Sequence, residues 1–278
     1  MAAPEVITSA ANPLVKRIRA LADRRHRRRE GAFVVEGVQP VWRAVEAGWQ
    51  LETLVVVPEL LPEAAAEMVQ RQRALGARVA EVSTELAGRL TERDRPPGLF
   101  AVVRTQVAGL EELSPAPGAV FAALHGVANP GNLGTVIRTA DAVGAAGVIL
   151  IGDTADPFAP SAVKASMGSL FAVPVVSTPD PAEFLRWARA AGVRVLATSG
   201  YAEAAHWSLD YPTPLAILLG SEGDGLPAEL LAGADERVRI PMVGTAESLN
   251  LAVAAALMLY EARRAAPGWN ASEGDGIG

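Results

Sequence analysis

The sequence predicts an α/β protein of two domains, a small mixed domain followed by a larger one built on a mostly parallel sheet with helices on both faces. Three observations carry this. Short β-type runs alternate with helix-period segments through residues 118–265, as strands and crossover helices do around a parallel sheet. A stretch rich in turn formers and acids, Gln106 to Gly118 with Pro115 and Pro117, interrupts the pattern. The chain has 278 residues, 50% of them hydrophobic, enough for one large core or two modest ones. The expected limits are a domain over 1–105, a linker over 106–117, a second domain over 118–265, and a Gly-rich acidic tail over 266–278 that should be disordered.

In chain order, Asn12-Pro13 opens a helix, with Leu14, Val15, Ile18, Leu21 and Ala22 spaced to pack one face and a basic face opposite. Ala32–Val35 follows as a strand, then Gln39–Ala47 (helix), Leu51–Val57 (strand), Glu63–Leu75 (helix), Arg78–Val82 (strand) and, after the turn Arg95-Pro96-Pro97-Gly98, strand Leu99–Arg104. In the second domain the strands are Val120–Leu124, Gly147–Ile151, Ala172–Val176, Val193–Thr198, Leu215–Leu219 and Val238–Ile240. Helices fall between them at Leu133–Val143, Ser161–Ser169, Pro181–Ala191, Pro227–Leu231 and finally Leu249–Arg264.

Composition removes whole classes of function. Without cysteine there are no disulfides, thiolate nucleophiles or Cys-based zinc sites, and His26, His125 and His206 stand in no ligand spacing, so no metal is expected. No apolar run reaches the roughly 20 residues that span a bilayer, and the N-terminus lacks the features of a secretory signal, so a cytoplasmic protein with no membrane association is expected. The net charge of −6 is unevenly spread: 16 Lys and Arg stand against 13 Asp and Glu in residues 1–105, and 9 against 18 in 106–278. Lys16, Arg17, Arg19, Arg24, Arg25, Arg27, Arg28 and Arg29 crowd into one segment with the single acid Asp23, a density that suits a phosphate backbone or, more plainly, a solvated helix face.

Three segments carry chemistry. Asn129-Pro130-Gly131-Asn132-Leu133-Gly134-Thr135-Val136-Ile137-Arg138 follows the first strand of the second domain. Its apolar residues form one stripe, while Gly131, Gly134, Thr135, Arg138 and Asp141 share another face, nearly bare except for one guanidinium. Asn132 stands where it can cap the helix or hold a ligand. Gly220-Ser221-Glu222-Gly223-Asp224-Gly225 follows strand Leu215–Leu219, at the carboxyl end where open α/β sheets bind ligands. It is no dinucleotide fingerprint, and its two acids oppose a pyrophosphate and suit a cation such as a sulfonium. The third segment, Ile240 to Ala254, is a strand end, a loop and a helix capped at Ser248, with Asn250 inside the first turn of an otherwise apolar helix.

In this order the segments resemble the SpoU/TrmH family of RNA ribose 2′-O-methyltransferases, in the SPOUT superfamily. Asn132-Leu133-Gly134 to Arg138, Gly220-x-Glu222-Gly223-x-Gly225 and Ser248-Leu249-Asn250 match the three family motifs, and Val163 to Phe171 is similar to its internal helix. Ser9 to Lys16 and Gly31 to Gly37 resemble the family's L30e-like substrate-binding domain. The resemblance implies a trefoil knot in the second domain, a homodimer, and S-adenosylmethionine as cofactor, held by Leu219, Gly220, Ile240, Met242, Leu249 and Ala254. It implies Arg138 as the residue that activates the ribose hydroxyl, framed by Asn132, Glu222, Ser248 and Asn250. A guanidinium rarely deprotonates, so stabilising a developing alkoxide is the easier role for Arg138. His125 is the alternative base, though no carboxylate motif accompanies it. RNA contacts are expected from Lys16, Arg17, Arg24, Arg25, Arg28 and Arg29. The substrate expected is structured RNA, 23S ribosomal RNA first; the rivals are a tRNA 2′-O-methyltransferase and a non-catalytic RNA-binding protein on the same scaffold.

Overall fold

The computed structural model describes residues 6–91, 95–106 and 108–265; the tail expected over 266–278 lies outside them. The chain forms two compact units, Met1–Gln106 with Asp156–Ala172, and Val107–Ala155 with Val173–Gly278.

The first unit holds a four-stranded sheet. Its elements are α1 (Pro13–Ala20), α2 (Arg24–Glu30), β1 (Ala32–Glu36), α3 (Val38–Glu46), β2 (Leu51–Val56), α4 (Glu63–Ala74), β3 (Arg78–Glu81), α5 (Thr84–Gly88) and β4 (Leu99–Arg104). In the order β1-β4-β2-β3, β4 runs antiparallel to β1 and β2, and β3 parallel to β2. Leu14, Val15, Ile18 and Leu21 of the first helix bury against Val55, Phe100 and Val102 of this sheet. The basic segment is two helices, a break that hydrophobic spacing does not show. Asp23 accepts from the His26 N–H at 3.1 Å to start α2, and Gly31, at φ 60°, ends it. Helix α5 is likewise absent from the sequence-based expectation; Ser83 caps it, accepting from the Leu86 N–H at 3.3 Å.

Residues 156–172 complete this unit. Helix α7 (Pro160–Ser166) packs on β1. Phe158 and Phe171 join Phe33 and Trp49 in one aromatic cluster, with Phe33–Phe158 centroids at 4.8 Å and Trp49–Phe171 at 5.1 Å. Arg27, only 3% exposed, donates to the Leu21 and Ala22 carbonyls at 2.9 and 2.7 Å and to Asp156 at 2.7 Å. A buried guanidinium needs such saturation, because an unpaired one would carry its full desolvation cost.

The second unit holds β5 (Val120–His125), α6 (Pro130–Ala142), β6 (Gly147–Ile151), β7 (Val175–Thr178), α8 (Pro181–Ala190), β8 (Arg194–Thr198), β9 (Ala204–Ala205), β10 (Leu215–Leu219), α9 (Ala228–Gly233), β11 (Glu236–Arg239) and α10 (Leu251–Ala265). All seven strands are parallel, in the order β7-β6-β5-β10-β8-β11-β9. Alternation within the strands serves two cores. Phe121, Ala123, Ile149, Ile151 and Leu218 meet α8 and α9 through Phe184, Ala188 and Leu230. The opposite face meets α6 and α10, which pack on β5 and on each other. The expected mostly parallel sheet with helices on both faces is therefore present.

Some element limits differ from those expected. The strand expected at Ala172–Val176 lies at Val175–Thr178, because residues 169–171 form a short 3₁₀ turn and Pro174, lacking an N–H, stands before the ladder. The strand at Val238–Ile240 is Glu236–Arg239, the final helix starts at Leu251 rather than Leu249, and the two-residue strand β9 has no pattern long enough to see. Within the acidic stretch before β5, Leu110 and Leu113 are buried in the α8-side core and Ala108 bridges Val176 at the outer strand β7.

The strand order sets the place of the site. From β5 the chain runs outward to β6 and β7, returns to β8, and then inserts β10 between β8 and β5. Beyond β5 the chain enters α6, which packs with α10; beyond β10 it enters α9, which packs with α8. Neighbouring parallel strands that send their chains to opposite faces leave a crevice at their carboxyl ends.

Candidate active site

That crevice is a cleft of about 500 Å³, with His125, Asn129 and Asn132 on the β5–α6 side, Glu222 and Asp224 on the β10–α9 side, and Leu251 between. Asn129 starts α6: its side-chain oxygen accepts from the N–H groups of Gly131 and Asn132 at 2.8 and 3.2 Å, with Pro130 at the first helical position. Asn132 is therefore not the cap, and its amide is free to reach across the cleft. It donates to Glu222 Oε1 at 2.7 Å.

Asn250 is the cap of α10, replacing the expected Ser248. Its Oδ1 accepts from the Ala252 N–H at 2.9 Å. Its Nδ2 donates to Glu222 Oε1 at 3.0 Å and to Asn132 Oδ1 at 3.2 Å. The Leu251 N–H also reaches Glu222 Oε1, at 3.2 Å. One carboxylate oxygen thus joins all three segments, and it lies against the positive end of a 15-residue helix.

The loop that presents Glu222 is tight. Ser221 and Gly225 exchange backbone hydrogen bonds at 3.2 and 3.1 Å, and the Asp224 N–H donates to Ser221 Oγ at 3.1 Å. A Cβ on Gly220 would collide with the Gly225 carbonyl, so only glycine fits there.

Arg138 is on the exposed face of α6, about 10 Å along the axis from Gly131 on nearly the same side. Nothing among the described residues pairs with its guanidinium. Of the residues assigned to the cofactor, Leu219 ends β10 buried, with Gly220 after it. Ile240 and Leu249 are half-buried, Met242 is exposed, and Ala254 lies in the first turn of α10. The segment 240–250 joins β11, which pairs with β8, to α10, which packs on β5 and β10. Ser248 is exposed.

Asn129 and Asp224 line the cleft without having a role in the sequence-based assignment, and His125 stands there only as the alternative base. Asn129 is visible in the Asn-Pro signature that also starts α1. His125 ends β5; burial pushes its pKa below the usual imidazole value, and its Nδ1 is buried without a partner.

In the first unit the basic segment divides by job. Lys16, Arg25, Arg28 and Arg29 are exposed, Arg24 is half-buried, and Arg27 is internal. Arg17 is held by Glu30 at 2.8 Å and Glu52 at 2.7 Å, and these carboxylates raise its pKa, Glu30 most.

A parallel α/β sheet with its cleft at the switch point is joined in one chain to an α/β unit that carries a basic segment, the pairing of a ligand site with a phosphate-binding surface. Residues 119–260 match the SpoU rRNA Methylase family, and residues 12–101 match the MRM3-like substrate binding domain. The chain belongs to the SpoU rRNA methylase family. It is 36% identical over 251 residues to a 23S rRNA (uridine(2479)-2′-O)-methyltransferase of Streptomyces viridochromogenes, covering 88% of this chain and 86% of that one. It is 32% identical over 257 residues to a 23S rRNA (guanosine(2553)-2′-O)-methyltransferase of Bacillus subtilis, covering 92% and 98%. The crystal structure of an AdoMet-bound rRNA methyltransferase from Sinorhizobium meliloti superimposes with a TM-score of 0.86 at 41% identity, covering 94% and 97%.

Proposed function

We propose that this enzyme transfers a methyl group from S-adenosylmethionine to a ribose 2′-hydroxyl of 23S ribosomal RNA. The observation that carries the reading is the junction at Glu222 Oε1, where three segments distant in sequence meet at the switch-point cleft. The residues present fit the cofactor. Leu219, Gly220, Ile240, Met242, Leu249 and Ala254 offer backbone and apolar groups, and an acidic loop suits a sulfonium. When bound, S-adenosylmethionine supplies an electrophilic methyl group.

The protein's own residues then have two tasks. A ribose hydroxyl must be held in line, and the negative charge that develops on its oxygen must be stabilised. Arg138, unpaired and exposed on the same helix as Asn132, takes the second task through its planar fork. Asn132, Glu222 and Asn250 hold the helix starts of α6 and α10 in register for the first, and Ser248 lies in the segment that leads into α10. Residues 1–105 bind RNA through Lys16, Arg17, Arg24, Arg25, Arg28 and Arg29, and residues 118–265 carry the chemistry.

The enzyme works in the cytoplasm as a homodimer with the knot of its family. The dimer is supported by α10, where Val253, Leu257 and Tyr260 are exposed at i, i+4 and i+7 while Leu251, Ala255, Met258 and Leu259 face the core. The test of function is transfer of labelled methyl from S-adenosylmethionine to ribosomal RNA from cells lacking the enzyme, with ribose methylation mapped before and after. A new 2′-O-methyl nucleotide in 23S RNA is expected; label on a base, or none, overturns the reading.

A further inference from the structure

The first unit carries a groove that no residue of the basic segment lines. Strands β1 and β2 both run antiparallel to β4, so their carboxyl ends share one edge of the sheet. The helices that follow them, α3 and α4, begin at that edge and leave an open groove of about 430 Å³ between them. Small-ligand sites commonly measure about 300–1,000 Å³. Gln39, Trp42, Arg43 and Glu46 line it from α3, and Pro62 and Ala64 from the start of α4.

Trp49, Trp187 and Trp207 each rest against another ring, whereas half-buried Trp42 has no ring partner among the described residues. Its indole N–H donates to Glu46 Oε1 at 2.8 Å, which fixes the ring on its helix. An indole has that single donor, so what Trp42 still offers a ligand is its π face. Glu46 is committed on its other side as well, with Arg43 3.7 Å from Oε2. The Arg43 stem lies close to Gly168, where a Cβ would press on its Cγ at 3.0 Å, and its guanidinium stays exposed. Gln39 is exposed, and its amide, both donor and acceptor, has no partner among the described residues. Pro62 and Ala64 add only small apolar groups, which leaves room in the groove for a flat ring.

Resting on the functional reading above, we propose that this groove takes one unstacked base of the RNA substrate, the base lying on the Trp42 ring, with Gln39 meeting its edge and Arg43 the adjoining phosphate. Residues 12–101, which match the substrate binding domain, include every lining residue named. Proteins hold single-stranded RNA by stacking its bases on aromatic rings and bonding their edges, and every base has a face that can stack. An apolar peptide side chain would cover the same ring but leave the amide and the guanidinium beside it unpaired, which costs free energy. Trp42 thus gives the unit a contact that releases no counterions, unlike those expected from Lys16 to Arg29.

The experiment measures binding of the full chain to deproteinised 23S RNA across a salt series, with melting and S-adenosylmethionine calorimetry on the same samples. Trp42→Ala should weaken binding about tenfold with the log–log salt slope unchanged, because stacking neutralises no phosphate. Trp42→Phe, which keeps a ring and loses only the indole N–H, should recover most of that affinity. Gln39→Ala should weaken binding about threefold, and Arg43→Ala should flatten the slope by about 0.7, the single-strand value for one phosphate. Cofactor affinity should be the same throughout. Parental affinity in a Trp42→Ala protein that melts like the parent overturns the proposal, and so does a loss that comes with a flatter slope. Should Trp42→Ala fail to fold, Gln39→Ala and Arg43→Ala stand at exposed positions, and parental affinity in both overturns it. A loss seen only with the assembled large ribosomal subunit, naked RNA being bound normally, makes the groove a protein site and overturns it too. None of these results bears on methyl transfer, which fails separately if no 2′-O-methyl nucleotide forms in 23S RNA.

Discussion

Asn250 shows how much one side chain does here. Its oxygen starts α10 and its nitrogen ties that helix to Glu222 and Asn132. Asn250→Ala should destabilise the protein by about 1 kcal/mol through removal of the cap alone, more once Glu222 is deprived of a donor. Ser248→Ala, at an exposed position outside the helix, should leave stability within about 0.5 kcal/mol. Urea unfolding of both variants checks this, and equal destabilisation would return the cap to Ser248. Arg138 behaves oppositely, since it holds nothing in place. Arg138→Ala should melt like the parent and bind S-adenosylmethionine normally, yet forfeit about 2.7–4 kcal/mol of transition-state stabilisation, a hundred- to a thousandfold in single-turnover rate. Arg138→Lys should fail nearly as badly, because an ammonium cannot reproduce a planar fork. Near-normal turnover in Arg138→Ala would remove it from the mechanism.

The helix pair α1–α2 carries two kinds of arginine that look alike in sequence. Replacing exposed Lys16, Arg25, Arg28 and Arg29 with Ala should weaken RNA binding and make it less sensitive to salt. The log–log slope should flatten by about 0.9 for each phosphate that is no longer neutralised, with little effect on melting. Arg27→Ala should instead cost about 3–5 kcal/mol, because it leaves Asp156 without the guanidinium that donates to it at 2.7 Å. Filter binding across a salt series, with melting on the same samples, separates the two. An unchanged slope in the fourfold variant would make the cluster a solvated face. Charge density is legible from the sequence; the division of labour is not, because Asp156 lies 129 residues from Arg27.

At the scale of the molecule, the apolar stripe Val253, Leu257 and Tyr260 on α10 is an element face without a partner in this chain among the described residues. Val253→Glu with Leu257→Glu should yield a monomer in sedimentation equilibrium where the parent sediments as a dimer, with secondary structure retained because both side chains already face outward. A parent that is monomeric at micromolar concentration would refute the dimer. The sheet order is equally a property of the whole. Inserting β10 between β5 and β8 makes the switch point, and with it the cleft.

From the sequence alone came the α/β class, ten of the eleven strands among the described residues and the segments that meet at the site, because period-2 and period-3.6 patterns, turn formers and short motifs are local properties of a chain. Strand limits slipped where Pro174 and a 3₁₀ turn replaced an apolar run, and the cap passed from Ser248 to Asn250, because a serine and an asparagine two residues apart are equally good starts until a partner chooses. Only the tertiary structure could choose. Glu222 selects Asn250 and Asn132 by lying within 3.0 Å of both, Asp156 selects Arg27 out of a run of arginines, and β10 places His125 and Asp224 in one cleft. Each is a pairing between residues far apart in sequence, and no spacing rule along a chain encodes which distant group will satisfy a buried or converging polar atom.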